Sequence, residues 1–220
     1  MLEAIEQALS GCRRFGQIAI RKLDGGGFVL THRDDESRNG LEIFRQTEDA
    51  ISLSKFDDAG NYRPLKTAPN LRHGWRMELV DLSELAWALD YFYPGRLSIF
   101  AAWKENRLAT TPLRATLDRQ SGMYRVAGKI SDEQINDLVG TFCRSNGGCL
   151  RTILWRRDQR GAVSSTKLPP EKFEASHDQA EALSGPRSAT ATTVIPLLCQ
   201  EPCHLLVNEC RRVVKSETRL

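Results

Sequence analysis

The sequence is short of several things, and each shortage removes a class of protein. No apolar run approaches the roughly 20 residues that span a bilayer, so a membrane-spanning helix is not expected. The opening stretch, MLEAIEQALSGCRRFG, carries acid where a secretory leader carries base, and no continuous apolar run follows. The expected location is therefore the cytoplasm. Excess charge of one sign is also small: 31 Lys+Arg against 28 Asp+Glu leave a net +3, too little to imply a nucleic-acid partner. Histidine is limited to four residues, and His32 and His73 stand isolated, where surface or structural roles are expected. The triple glycine Gly25-Gly26-Gly27 lacks the Gly-Lys-Ser/Thr ending of a phosphate-binding loop and reads as a turn. No nucleophile–base pair and no paired carboxylates converge along the sequence, which argues against autonomous catalysis.

What remains is ordinary in bulk. At 220 residues, 40% hydrophobic and 27% charged, the chain can bury one normal core or two small ones. Its distinguishing feature is cysteine. Four of the six fall in two short stretches, TFCRSNGGCL (141–150) and IPLLCQEPCHL (195–205). They form a C-x5-C pair, Cys143 and Cys149, and a C-x3-C pair, Cys199 and Cys203. Cytosolic thiols stay reduced, so clustered cysteines there are more often ligands or catalysts than disulfides.

A [4Fe-4S] cluster needs four thiolates converging from different directions in a site that excludes water and offers N–H groups to sulfur. The Asn146-Gly147-Gly148 turn lets backbone approach closely. Cys203 falls at the expected start of a helix, whose positive end favours negative charge. Arg144 and Arg151 offset the charge of an anionic cluster. Zinc is the alternative cofactor; the x3 pair suits it and the x5 pair does not. Redox-active thiols and buried cysteines acting as small hydrophobes are the remaining readings. Cys210, seven residues after Cys203, is expected in the core. Cys12 stands alone, and His204 could hydrogen-bond near the centre.

The periodicities predict an α+β fold. A short amphipathic helix opens the chain, followed by a strand over Phe15–Leu23 and a returning strand over Phe28–His32. Leu41–Phe56 fits neither helix nor strand cleanly. A strand is expected at Trp75–Val80 and a helix at Leu82–Tyr93, capped by Asp81 or Ser83 and ended by Pro94-Gly95. Leu97–Trp103 could be either. Ser131 caps a helix that delivers Cys143, Leu150–Trp155 reads as a strand, and Pro202 opens a final helix. From Arg156 to Thr193 the composition turns to Ser, Thr, Ala, Pro and charge, as in a mobile loop.

Two families share parts of this pattern. The cysteine spacing alone is that of the sirohaem-dependent sulfite and nitrite reductases, which hold a [4Fe-4S] cluster beside sirohaem. A wider resemblance is to the C-terminal part of CbiX-like sirohydrochlorin cobaltochelatase-related proteins, which carry a small stabilising domain followed by a [4Fe-4S] domain. It rests on TPLRATLDRQSGMYR (111–125), CRSNGGCLRTILW (143–155) and IPLLCQEPCHLLVNECRRVVK (195–215). It implies a small N-terminal α/β-mixed domain with an antiparallel hairpin over residues 1–79, then an α+β cluster-binding domain over 80–220 containing the 156–193 loop. It also implies Cys143, Cys149, Cys199 and Cys203 as cluster ligands. The implied role is electron transfer, redox sensing or an accessory task linked to tetrapyrrole or cobalamin-pathway chelatases, with a protein redox or chelatase partner. The metal-binding histidines of a chelatase domain are not expected here, so chelatase activity does not carry over. The rival reading is a zinc-stabilised binding module without redox function.

Overall fold

The computed structural model describes residues 2–143, 148–158 and 194–217. The expected Asn146-Gly147 reversal, Arg144, and residues 159–193 of the loop expected over 156–193 lie outside the described residues. The chain opens with α1 (Leu2–Ser10), which packs Ala8, Leu9 and the following Cys12 into a core. The stretch expected as one strand over Phe15–Leu23 is two, β1 (Arg14–Phe15) and β2 (Ile18–Lys22), paired antiparallel. The break is Gly16, whose φ of +60° lies in the left-handed region that glycine adopts freely. The Gly25–Gly27 turn then leads to β3 (Phe28–His32), antiparallel to β2 as expected.

The ambiguous 41–56 stretch resolves into β4 (Glu42–Phe44) and α2 (Asp49–Lys55). β5 (Trp75–Leu79) alternates buried and half-buried residues, so Trp75, Met77 and Leu79 face the core while Arg76 and Glu78 face away. α3 (Leu82–Phe92) starts where Asp81 Oδ1 accepts the Glu84 N–H at 2.9 Å, and its Leu85, Leu89 and Phe92 are fully buried. The second ambiguous stretch is helix α4 (Arg96–Lys104).

The strands form a six-stranded sheet in the order β4-β5-β3-β2-β1-β7, where β7 is Val194–Ile195 from far along the chain. β7 adds parallel to β1. Helices α1, α3 and α4 share the first core with Ile18, Ile20, Phe28, Leu30, Trp75 and Met77 of the sheet. At its centre Trp75 stacks on Phe92 with centroids 5.0 Å apart.

A second core lies beyond residue 105. α5 (Leu113–Asp118), a 3-10 segment over Gly122–Lys129, α6 (Asp132–Leu138) and α7 (His204–Glu217) enclose Leu113, Leu117, Ile135, Leu206 and Val207. The Ser131 cap is present as a capping box with Gln134. A two-stranded parallel sheet pairs β6 (Thr152–Ile153) with β8 (Leu198–Cys199).

The expected boundary between 79 and 80 cuts through the first core: α3 and α4, both past residue 80, pack into it, and Leu150, Ile195, Leu197 and Leu198 join it from far along the chain. The expected Leu150–Trp155 strand is limited to two residues, and α7 begins at His204 rather than at Pro202.

Candidate metal centre

Each cysteine of the two pairs reaches the centre by a different route. α6 continues through a π-helical turn, Val139–Cys143, that ends on Cys143. The Cys149 N–H then donates to the Cys143 carbonyl at 3.2 Å, which turns the second thiol of the pair back towards the first. Cys199 lies on β8, locked to β6, and the Leu154 N–H donates to its carbonyl at 3.0 Å. Cys203 immediately precedes α7, and its carbonyl accepts the Val207 N–H at 3.1 Å.

The four converge. Cys143, Cys149, Cys199 and Cys203 line one small cavity together with Leu65, Phe142, Arg151, Ile153, Trp155 and Leu206. Apart from the thiols and one arginine the wall is apolar, which excludes water. Cys143, Cys149 and Cys199 are buried, and Cys203 is half-buried. No disulfide joins any of the six cysteines.

Hydrogen bonds aim at the sulfurs. The Trp155 Nε1–H donates to Cys199 Sγ at 3.2 Å, and the Arg151 Nε–H to Cys149 Sγ at 3.2 Å. Cys149 Sγ also lies 3.0 Å from the Thr67 hydroxyl. Thr67 belongs to the first half of the chain; its carbonyl accepts the Leu150 N–H at 2.8 Å. That loop, with Leu65, closes the cavity from the N-terminal side, and fully buried Arg63 holds it in shape. The Arg63 guanidinium donates to the Ser54, Lys66 and Ala68 carbonyls and to Asn70 Oδ1.

Two family models match the chain. Residues 3–106 match the DR2241 stabilising domain, and residues 105–212 match the 4Fe-4S iron-sulfur cluster binding domain. The two matches follow one another along the chain, and they meet just after α4, which packs into the first core. The solved structure of DR2241 from Deinococcus radiodurans shares the fold at a TM-score of 0.73 and 24% identity, with 98% of this chain covered. This chain spans 41% of that protein, which is described as multi-domain, structurally similar to chelatases and carrying two additional novel domains. No curated protein matches the sequence.

Electrostatics separate the clustered thiols from the solitary ones. Burial pushes Cys199 up, and Cys149 and Cys203 add to this, while Arg151 and the Trp155 N–H oppose it. Burial alone would push Arg151 down, yet the facing thiolates of Cys149, Cys199 and Cys203 hold it above its ordinary value. Arg96 is pushed down by burial and then by Arg151, and its Nη1 donates to the Leu198 carbonyl at 2.8 Å, bracing the residue before Cys199. Cys12 and Cys210, by contrast, are pushed up by burial to about 12, which Arg114 opposes only in part at Cys210. Cys210 is fully buried in the second core, where a packing role is its expected one.

Sequence reasoning brought the four cysteines and Arg151 to one place but missed Thr67, Leu65, Arg96 and Trp155. Thr67 is 82 residues from the sulfur it meets, and no local pattern marks such a contact. It also treated His32 and His73 as isolated. In the fold their rings pack with centroids 3.7 Å apart.

Proposed function

We propose that Cys143, Cys149, Cys199 and Cys203 hold a [4Fe-4S] cluster, and that the protein serves as an electron-relay or redox-sensing accessory to a partner enzyme of the tetrapyrrole-chelatase class. The observation that carries this reading is the convergence of four thiols, from two separate segments, on one apolar cavity with N–H donors aimed at sulfur. The match to a 4Fe-4S binding domain supports it. The chelatase link rests on the likeness of the multi-domain relative to chelatases and on the CbiX-like sequence segments.

The spacing of the first pair favours a polynuclear centre over the zinc alternative: structural zinc pairs are usually two to four residues apart, and five residues separate Cys143 from Cys149.

When bound, a [4Fe-4S] cluster supplies one-electron chemistry. The chain's own residues set the conditions for it. Arg151 and the Trp155 N–H place positive charge against the sulfurs of Cys149 and Cys199, favouring the more negative state. Leu65, Phe142, Ile153 and Leu206 keep the site dry. Half-buried Cys203, at the start of α7, is the edge from which an electron partner would approach.

The test is iron and acid-labile sulfide content after purification without oxygen. About four of each per chain are expected, lost on Cys→Ser substitution at 143, 149, 199 or 203 and retained on substitution at 12 or 210. One zinc and no sulfide would overturn the reading.

A further inference from the structure

Helices α1, α3 and α4 cover one face of the six-stranded sheet, where Ile18, Ile20, Leu30, Trp75 and Met77 enter the first core. Alternate residues lie on the opposite face, and the strand register sets them in rows. Ala19 pairs with Thr31, Thr31 with Arg76, and Arg76 with Ile43; in the next row Arg21 pairs with Val29, and Val29 with Glu78. The short side chains of Ala19, Val29 and Thr31 therefore form a floor, with Arg21 to one side and Arg76 to the other. Arg38, Asn39 and Leu41, from the segment that leads into β4, complete the wall. Together they line a cavity of about 310 Å³, a volume in the range of small-molecule sites. It shares no lining residue with the cysteine cavity.

The chemistry of this cavity is cationic over an apolar floor. Three arginines line it, Arg21, Arg38 and Arg76, against one carboxylate, Glu36. Much of their donor capacity is unspent, since each guanidinium carries five N–H groups. Arg76 pairs through Nη2 with Glu78 Oε1 at 2.9 Å, and its Nε meets no acceptor. Glu78 is itself shared with Arg45, whose Nη2 lies 3.3 Å from Oε2. Arg38 gives Nη1 to Asp35 Oδ1 at 3.2 Å. Arg21 makes no ion pair among the described residues.

Guanidinium forks match the oxygens of carboxylates and phosphates. Here they come from three elements, β2, β5 and the segment before β4, so they suit a ligand with more than one anionic group. The aliphatic floor of Ala19 and Val29 suits carbon between those groups.

We propose that this cavity binds a small organic polyanion, with two or more carboxylate or phosphate groups, held by Arg21, Arg38 and Arg76.

The experiment uses the full chain, with its cysteine centre loaded and oxygen excluded. Tricarballylate, a tricarboxylate on a three-carbon frame, and pyrophosphate are titrated calorimetrically at low ionic strength, where charge pairing is least screened. Saturable one-site binding of either is the expected result; tricarballylate alone assigns the carboxylate class, and pyrophosphate alone the phosphate class. Arg21→Met and Arg76→Met should each weaken that binding about tenfold or more. Arg72→Met removes the same charge outside the cavity, where Arg72 pairs with Glu42, and should change it less than about twofold. No saturable binding of either probe, or equal weakening by all three substitutions, would overturn the proposal. Arg21 is exposed and unpaired, so its variant keeps the test decisive where Arg76→Met fails to fold.

Discussion

Replacing Arg63 tests whether the N-terminal half of the chain supports the proposed metal centre. This side chain is 1% exposed and has no carboxylate within its hydrogen-bonding shell. Its charge is met by four neutral acceptors at 2.8–3.1 Å: the Ser54 carbonyl of α2, the Lys66 and Ala68 carbonyls of the loop that carries Leu65 and Thr67, and Asn70 Oδ1. Arg63→Ala leaves Lys66 O, Ala68 O and Asn70 Oδ1 without that donor; Ser54 O keeps Lys66 Nζ at 3.0 Å. Three orphaned, partly buried acceptors at about 1 kcal/mol each give a loss of about 3 kcal/mol. For a chain of this size that corresponds to a fall in melting temperature of about 6–12 °C. Arg63→Lys keeps the charge but not the planar fork, and should lose about half as much. The assay is circular dichroism of anaerobic protein at a fixed scan rate, with iron retention after exposure to air followed in parallel. Loosening the loop lifts Thr67 and Leu65 from the cavity, so iron should be lost faster. A melting temperature within about 2 °C of wild type for Arg63→Ala would refute the accounting, and an unchanged rate of iron loss would sever the link between this loop and the centre.

Thr67→Val removes a hydroxyl from Cys149 Sγ at nearly constant volume. A donor to sulfur favours the reduced, more negative state, so its loss should lower the reduction potential by about 20–60 mV, with iron content unchanged, as read by film voltammetry. Gly16→Ala forces a Cβ within 2.8 Å of the Tyr93 ring and 2.9 Å of Leu197 at a left-handed φ. It should cost about 2–4 kcal/mol, and a melting curve matching wild type would show that the β1–β2 turn has slack. Cys210→Ala removes a buried thiol from the second core and should cost about 1 kcal/mol or less without loss of iron. Depletion of iron there would make Cys210 a ligand.

The sequence was most legible where local rules act. Asp81 and Ser131 announced the starts of α3 and α6 because capping is a contact over three residues. The Gly25–Gly27 turn announced its hairpin in the same way. The cysteine pairs were legible because ligand spacing is short-range on each side. Leu41–Phe56 was opaque because it packs a strand and a helix into one weak apolar pattern, and Leu97–Trp103 because a short apolar run suits either state. The domain boundary was misplaced because nothing local tells helix α3 which core will bury it. Thr67 and the His32–His73 contact depend on segments far apart in the chain, and only the folded topology brings them together.

The joining of β7 to β1 has a consequence for how the protein is made. A chain emerging N-terminus first forms β1 through β5 and helices α1, α3 and α4 early, yet β1 keeps an open edge. Open edges invite pairing with other chains. That edge stays unsatisfied until Val194–Ile195 arrives, and the next few residues bring β8 and both remaining thiols, Cys199 and Cys203. One stretch of chain thus closes the first sheet and brings in the last two of the four clustered thiols. The two events are therefore coupled in synthesis, and a nascent chain stalled before residue 194 would hold neither a finished sheet nor a complete set of four thiols.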